Sequence, residues 1–234
     1  MFDAISPTYD LLNHMLSFNV DRLWRRELVS ALDARLEGLY LDLCSGTGDV
    51  ALLLKGAKGG RVVAIDFSAG MLLRAGRKAK RAGRSLLLAR ADAMALPLAG
   101  GAFDGVAVAF GVRNFENLDR GLQEIARVLK PGGRAAILEF AEPRRGTFAL
   151  LYSFYFHRVL PVIGRVVSGL AGAYAYLPAT VAGFPSADEF AGRLTAAGFV
   201  PLDRKPLTGG IAMLHVAARG AGALGRLHES RQSV

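Results

Sequence analysis

Leu39-Tyr40-Leu41-Asp42-Leu43, then Cys44-Ser45-Gly46-Thr47-Gly48-Asp49, then Val50-Ala51-Leu52-Leu53-Leu54, is the stretch that decides the fold. An apolar run around one carboxylate predicts a buried strand. The Gly46-Thr47-Gly48 turn lets the backbone reverse tightly, and the apolar run after Asp49 opens a helix. Strand, glycine turn and helix in that order build a nucleotide-binding cleft at the strand ends of an α/β sheet. The spacing Gly46-x-Gly48-x-x-Ala51 also fits a dinucleotide fingerprint, so the turn alone does not choose the ligand.

Outward from this turn, strand and helix signals alternate. Arg61 to Asp66 is a strand ending in a carboxylate, and Ser68 caps a helix from Ala69 to Ala82. Strands are expected over Ser85–Ala89, Phe103–Phe110 and Arg134–Phe140. A helix is expected near Leu118–Leu129, and Lys130-Pro131-Gly132-Gly133 reads as a turn. A capped helix over Ser186–Ala197 leads to a last pair of strands near Val200–Lys205 and Ile211–Ala217. This rhythm predicts an α/β class fold with a doubly wound, mainly parallel seven-stranded sheet. Before the first strand, helices are expected from Pro7 and over Asp21–Leu36, with Asn19 between them in a left-handed turn. Residues 1–37 are read as a helical lid, 142–185 as a helical, aromatic-rich insertion after the fifth strand, and 220–234 as a frayed tail. One domain over residues 1–219 is therefore expected.

The chain has 234 residues, 52% hydrophobic and 21% charged, enough to bury one sizeable core and too apolar for a disordered chain. The single cysteine, Cys44, allows no internal disulfide and suits a reducing, cytoplasmic compartment. The N-terminus lacks a signal-peptide pattern. The most apolar region, Thr147 to Pro178, is interrupted by His157, Arg158, Pro161 and Arg165, so no membrane span is expected. The net charge of +9 points to a nucleic acid, an anionic membrane or simply a solvated basic surface.

Three carboxylates narrow the ligand. Asp66 lies 20 positions after Gly46, at the end of the second strand, where an acidic side chain takes ribose hydroxyls. Asp92-Ala93 follows the third strand, with Asp92 placed for an adenine amino group and Ala93 leaving room for the ring. Asp42, at the end of the first strand, would repel a pyrophosphate yet suit the ammonium and sulfonium of S-adenosylmethionine (SAM). Together with Gly46 and Thr47 these residues favour SAM over NAD.

These elements resemble the class I SAM-dependent methyltransferases. Within them the chain closely resembles the menaquinone/ubiquinone biosynthesis C-methyltransferase family, from Phe2 to about His215. The resemblance is carried by Tyr9-Asp10-x-x-Asn13, Leu41-Asp42-Leu43-Cys44-Ser45-Gly46-Thr47-Gly48-Asp49, Asp92-Ala93-x-x-Leu96-Pro97, Phe110-Gly111-Val112-Arg113-Asn114, Leu138-Glu139-Phe140 and Tyr176-Leu177-Pro178. It implies cofactor contacts at Thr47, Asp66, Asp92 and Ala93. It also implies methyl transfer from SAM to a ring carbon of a polyprenyl quinol, with demethylmenaquinol favoured over a benzoquinol. Departures are Ala109 where the family often has serine, Asn19 for glycine and Thr180 for serine; none touches the carboxylate set.

An aromatic carbon becomes nucleophilic when the neighbouring hydroxyl is deprotonated, so the reaction needs a proton acceptor and a stabiliser for the phenolate. Arg113, expected to open into the cleft, is assigned the phenolate, Asn114 the orientation of the ring, and Tyr9 a proton relay through water. His14, His157, His215 and His228 show no ligand spacing, and no metal is expected. Phe148 to Leu160 is expected to line a tail groove or touch the membrane. The basic helix Arg74, Arg77, Lys78, Lys80, Arg81, Arg84 offers a transient contact with anionic lipid. A homodimer is a further expectation, and no nucleic-acid partner is. The rival enzymatic reading is an NAD-dependent oxidoreductase, separable by comparing SAM and NAD binding.

Overall fold

The structure is a computed structural model that describes residues 19–58, 60–141 and 180–221. The elements in chain order are α1 (Val20–Ala31), β1 (Leu39–Leu43), α2 (Asp49–Lys58), β2 (Arg61–Asp66), α3 (Ala69–Arg81), β3 (Leu87–Arg90), β4 (Phe103–Ala109), α4 (Leu118–Val128), β5 (Leu129–Phe140), α5 (Ala187–Ala196), β6 (Phe199–Leu207) and β7 (Ala212–Arg219). The seven strands form one sheet in the order β3-β2-β1-β4-β5-β7-β6. All pairings are parallel except β5 with β7 and β7 with β6. The order reverses between β1 and β4, and that switch opens a crevice beyond the strand ends, where ligands bind in such sheets.

Alternation along each strand sorts side chains to two cores. Leu41, Leu43, Ile65, Val106 and Val108 face α4 and α5 and meet Leu122, Ile125, Phe190 and Leu194. Tyr40, Val62, Ala64 and Ala107 face the other way, against Trp24 and Leu28 of α1 and Val50, Ala51 and Leu54 of α2. Each buried side chain of this size contributes about 1.5–3 kcal/mol relative to exposure.

Local signals behave as their chemistry requires. The Ser68 hydroxyl accepts from Met71 N–H, and Ser186 and Glu189 form a reciprocal capping box. Asn19 stands at φ 62°, the left-handed turn expected of it. Three boundaries differ from expectation. The α1 helix ends at Ala31, so Leu36 lies outside it and is exposed. The third strand starts at Leu87 rather than Ser85. Lys130 to Gly133 is no separate turn: it forms a bulged start of β5, where the β4–β5 register shifts between Phe103 and Gly105 and Gly132 takes φ 74°.

Among the described residues no helix is long and apolar enough to cross a membrane. Tyr9, most of the lid, residues 142–179 of the insertion and the tail lie outside the described residues.

Candidate active site

The glycine turn sits at the carboxyl end of β1, beside the end of β4. Four residues there are left-handed: Cys44 at φ 57°, Gly46 at φ 53°, Gly48 at φ 82° and, at the end of the neighbouring strand, Phe110 at φ 59°. Non-glycine residues in this region store strain and concentrate at functional sites. A side chain at Gly48 would also press on Ala75 of α3, its Cβ 3.0 Å from that of Ala75. Gly111 lets the β4 loop close on the β1 loop, since a Cβ there would lie 2.4 Å from Cys44 Cβ. Burial, with Asp66 and Asp42 adding to it, pushes the Cys44 thiol well above its usual range, so it is no nucleophile.

Asp66 braces the cleft. Its Oδ2 accepts from Gly46 N–H at 2.8 Å and its Oδ1 from Ser68 N–H at 2.8 Å, tying the glycine turn to the start of α3. A carboxylate offers about four lone-pair sites, so capacity remains for a diol. Asp66→Ala is expected to weaken SAM binding at least tenfold, because a charged hydrogen bond contributes about 1.5–3 kcal/mol. Calorimetric titration checks it; unchanged affinity would remove Asp66 from the ribose role.

Asp42 corrects a step of the sequence argument. It is 1% exposed and its Oδ2 accepts from Ala51 N–H at 2.8 Å, inside the first turn of α2. Burial is the largest influence on it and pushes its pKa from 3.8 up to about 8. A buried, protonated carboxyl neither repels a pyrophosphate nor attracts a sulfonium as a charge. The choice against pyrophosphate survives on other grounds. Phosphates bind helix N-termini through free backbone N–H groups, and here the Gly46 and Ala51 N–H groups are engaged by Asp66 and Asp42.

The protonated Asp42 has a measurable consequence. Between about pH 3.8 and 8 the folded chain holds a proton that the unfolded chain has lost. The stability this proton contributes is full below about 3.8 and is lost as pH rises through about 8. Asp42→Asn keeps an acceptor for Ala51 without the titration. It is expected to flatten the fall in melting temperature of the ligand-free protein across that window; an unaltered pH profile would contradict the burial.

The loop after β3 is held by α4. Asp92 is exposed and its Oδ1 accepts from Met94 N–H at 2.9 Å, while the Ala93 methyl is buried in the core. Glu124 accepts from Leu96 N–H at 2.8 Å and pairs with Arg127, whose Nη2 and Nη1 donate to the carbonyls of Leu96 and Leu98. This brace joins residues 28 or more positions apart, and no local pattern announces it. Thr47 is buried within the glycine turn.

Arg113 is enclosed where β4 ends, rather than standing free. It occupies a single 3-10 turn, Val112–Asn114, after β4. Its side chain is 7% exposed, and Nη1 donates to Glu139 Oε1 at 2.6 Å and to Phe110 O at 2.6 Å. The guanidinium lies over the Phe140 ring, which stacks on Phe110 at 4.4 Å. Glu139, 1% exposed at the end of β5, was missed as a site residue although Leu138-Glu139-Phe140 marked the stretch. Arg113 Nε is buried and makes no hydrogen bond among the described residues. Asn114, half-buried, donates its backbone N–H to Gly111 O at 3.0 Å.

His215 is buried edge-on to Phe190, and burial lowers its pKa to about 4. It is a neutral core residue. Among the described residues no cluster of His, Cys, Asp or Glu has metal-binding geometry.

The donor set fits S-adenosylmethionine: carboxylate acceptors at the ends of two strands for a diol and an amino group, and turn N–H groups already engaged. Comparison with known proteins agrees. The ubiE/COQ5 methyltransferase family matches residues 1–219. A demethylmenaquinone methyltransferase of Thermus thermophilus is 47% identical over 220 residues, covering 94% of this chain and 100% of that protein. A demethylmenaquinone methyltransferase of Deinococcus radiodurans is 45% identical, covering 92% and 90%. The ubiquinone/menaquinone biosynthesis C-methyltransferase UbiE of Geobacter sulfurreducens is 44% identical, covering 94% and 87%. Among solved structures, a SAM-dependent methyltransferase from Aquifex aeolicus shares the fold at a TM-score of 0.60 and 18% identity, covering 83% of this chain and 88% of that one. With these matches behind the geometry, the chain belongs to the ubiE/COQ5 methyltransferase family of S-adenosylmethionine-dependent methyltransferases.

Proposed function

We propose that this enzyme methylates a ring carbon of a prenylated quinol, with demethylmenaquinol as acceptor and menaquinol as product. The observation that carries this reading is the Arg113 guanidinium, held by Glu139 and Phe110 O where β4 and β5 end, beside the glycine turn. Two of the relatives described above are named for demethylmenaquinone.

SAM supplies the electrophilic methyl group. The chain's own residues do the rest. Asp66 and Asp92 hold the cofactor's ribose and base. Arg113 presents its remaining donors to the phenolate that forms when the quinol hydroxyl loses its proton, an interaction strongest where charge develops. Glu139 and Phe140 fix that guanidinium, so little reorganisation is needed. Asn114 orients the ring, and Tyr9 relays the proton through water. A groove of about 680 Å³ shares Phe140 with this cation and is lined by Val181, Phe184 and Met213 together with the charged Asp188, Glu189 and Arg204.

Methyl transfer assayed with equal concentrations of demethylmenaquinol and its benzoquinol counterpart tests the acceptor. A kcat/KM at least tenfold higher for the naphthoquinol is expected. The reverse preference would move the enzyme to the ubiquinone step. We further propose a cytoplasmic location at the inner face of the membrane, where such acceptors dissolve, and assembly as a homodimer without nucleic acid.

A further inference from the structure

Between Arg61 and Arg90 the chain carries eight basic residues and a single acidic one, Asp66. The fold gathers them on one side of the molecule, the β3 edge of the sheet and the helix α3 beside it. Helix α3 buries Met71, Leu72, Ala75 and Ala79. Its opposite stripe, at helical spacings of four, seven and eight from the first member, is Leu73, Arg77, Lys80 and Arg81. Arg77, Lys80 and Arg81 are exposed, and among the described residues no carboxylate pairs with them. The far edge of the sheet is different: Arg193, Arg204 and Lys205 are matched there by Asp119, Asp188 and Glu27. Lys78 of α3 pairs with Asp49, whereas among the described residues Arg77, Lys80 and Arg81 have no such partner.

Leu73, 64% exposed, protrudes among these cations, and Phe67, 67% exposed, stands just before α3. On the outermost strand β3, Leu88 faces α3, its Cδ1 3.2 Å from the place a Cβ on Gly76 would take, so Leu87 lies on the opposite face of the sheet and outside this patch. The patch also reaches the cleft: Phe67 directly follows Asp66, and Arg90 anchors it, its Nε donating to Phe67 O at 2.8 Å and its guanidinium lying over the ring at 5.4 Å.

We propose that this face docks on an anionic lipid surface, with the α3 cations among the headgroups, the exposed Leu and Phe side chains in the interface, and the rim of the cleft turned to the bilayer. Charge complementarity selects this occupant. A second copy of the chain would set one uniformly cationic face against another. A single-stranded nucleic acid would need a row of free aromatic platforms, whereas among the described residues this face offers one, Phe67. Basic residues near an anionic membrane each contribute about 1 kcal/mol, about fivefold in affinity. Aliphatic side chains among them add the apolar half of interfacial binding. The inference goes beyond the proposed reaction, and lipid binding measured without substrate can fail or hold independently of it.

The test is co-sedimentation of the full chain with vesicles of phosphatidylcholine alone or mixed with phosphatidylglycerol. Wild-type protein is expected to bind the mixed vesicles only, less tightly as salt rises. The triple change Arg77→Gln, Lys80→Gln, Arg81→Gln is expected to weaken binding at least tenfold, with SAM affinity and circular dichroism unchanged because all three side chains are solvated. Leu73→Ser, an independent variant, is expected to weaken it as well. Wild-type affinity in the triple variant, equal binding to both vesicles, or wild-type protein that ignores vesicles and binds RNA through these residues would overturn the proposal. So would a dimer that Leu73→Ser dissociates, since the face would then be a protein interface.

Discussion

Arg113→Ala is expected to lower turnover by roughly 10²–10³, the scale of losing one donor to a developing oxyanion, while SAM affinity changes little. The alanine also leaves Glu139 unpaired and buried, so a loss of stability accompanies it. Arg113→Lys separates the two effects. A lysine keeps a cation for Glu139 and hence most of the fold, but it lacks the planar fork that serves Glu139, Phe110 O and a phenolate together. Turnover that stays at least tenfold low in a well-folded Arg113→Lys protein assigns the loss to the transition state. Near-normal turnover in either variant would remove Arg113 from the chemistry. Turnover, SAM affinity and melting temperature are to be measured on one preparation of each.

The second large effect is on stability. Glu139→Ala removes the partner of a cation that is itself almost fully buried. It also deprives the Phe140 N–H, 2.9 Å from Oε1, and the Arg113 N–H, 3.3 Å from Oε2, of their acceptor. Breaking a buried pair from one side costs about 3–5 kcal/mol. For a chain of this size that corresponds to a melting temperature lower by roughly 6–20 °C. Glu139→Gln retains shape and an acceptor and removes only the charge, so it should melt between the alanine variant and wild type. Calorimetry on the ligand-free proteins decides; a wild-type melting temperature for Glu139→Ala would mean that the pair is not the buried lock described above.

Much of this was legible in the sequence because it was local. The Gly46-Thr47-Gly48 turn, the Ser68 and Ser186 caps and the left-handed Asn19 depend on neighbours a few positions away. Asp66 was legible by its place at a strand end, although its partners Gly46 and Ser68 were not. What the sequence hid was long-range. Arg113 meets Glu139 only because β4 and β5 pair with Ala109 opposite Leu138, and no periodicity within either strand reveals that register. The Glu124–Arg127 brace on the loop after Asp92 depends in the same way on how α4 lies against it. Asp42 looked like a charge because it is an aspartate, and only its depth beneath α2 makes it a neutral acceptor. The Lys130-Pro131-Gly132-Gly133 run carries turn chemistry and bulges within β5, between Leu129 opposite Phe103 and Arg134 opposite Gly105.

The most direct measurement is the position of the transferred methyl group. The enzyme is incubated with demethylmenaquinol and SAM carrying an isotopically labelled methyl, and the product is examined by NMR. A phenolate held by Arg113 directs reactivity to the adjacent ring carbon, so the label is predicted as a ring methyl of menaquinol, and its yield should fall with Arg113→Ala. Label on the quinol oxygen, or no transfer by an enzyme that binds SAM, would contradict the account.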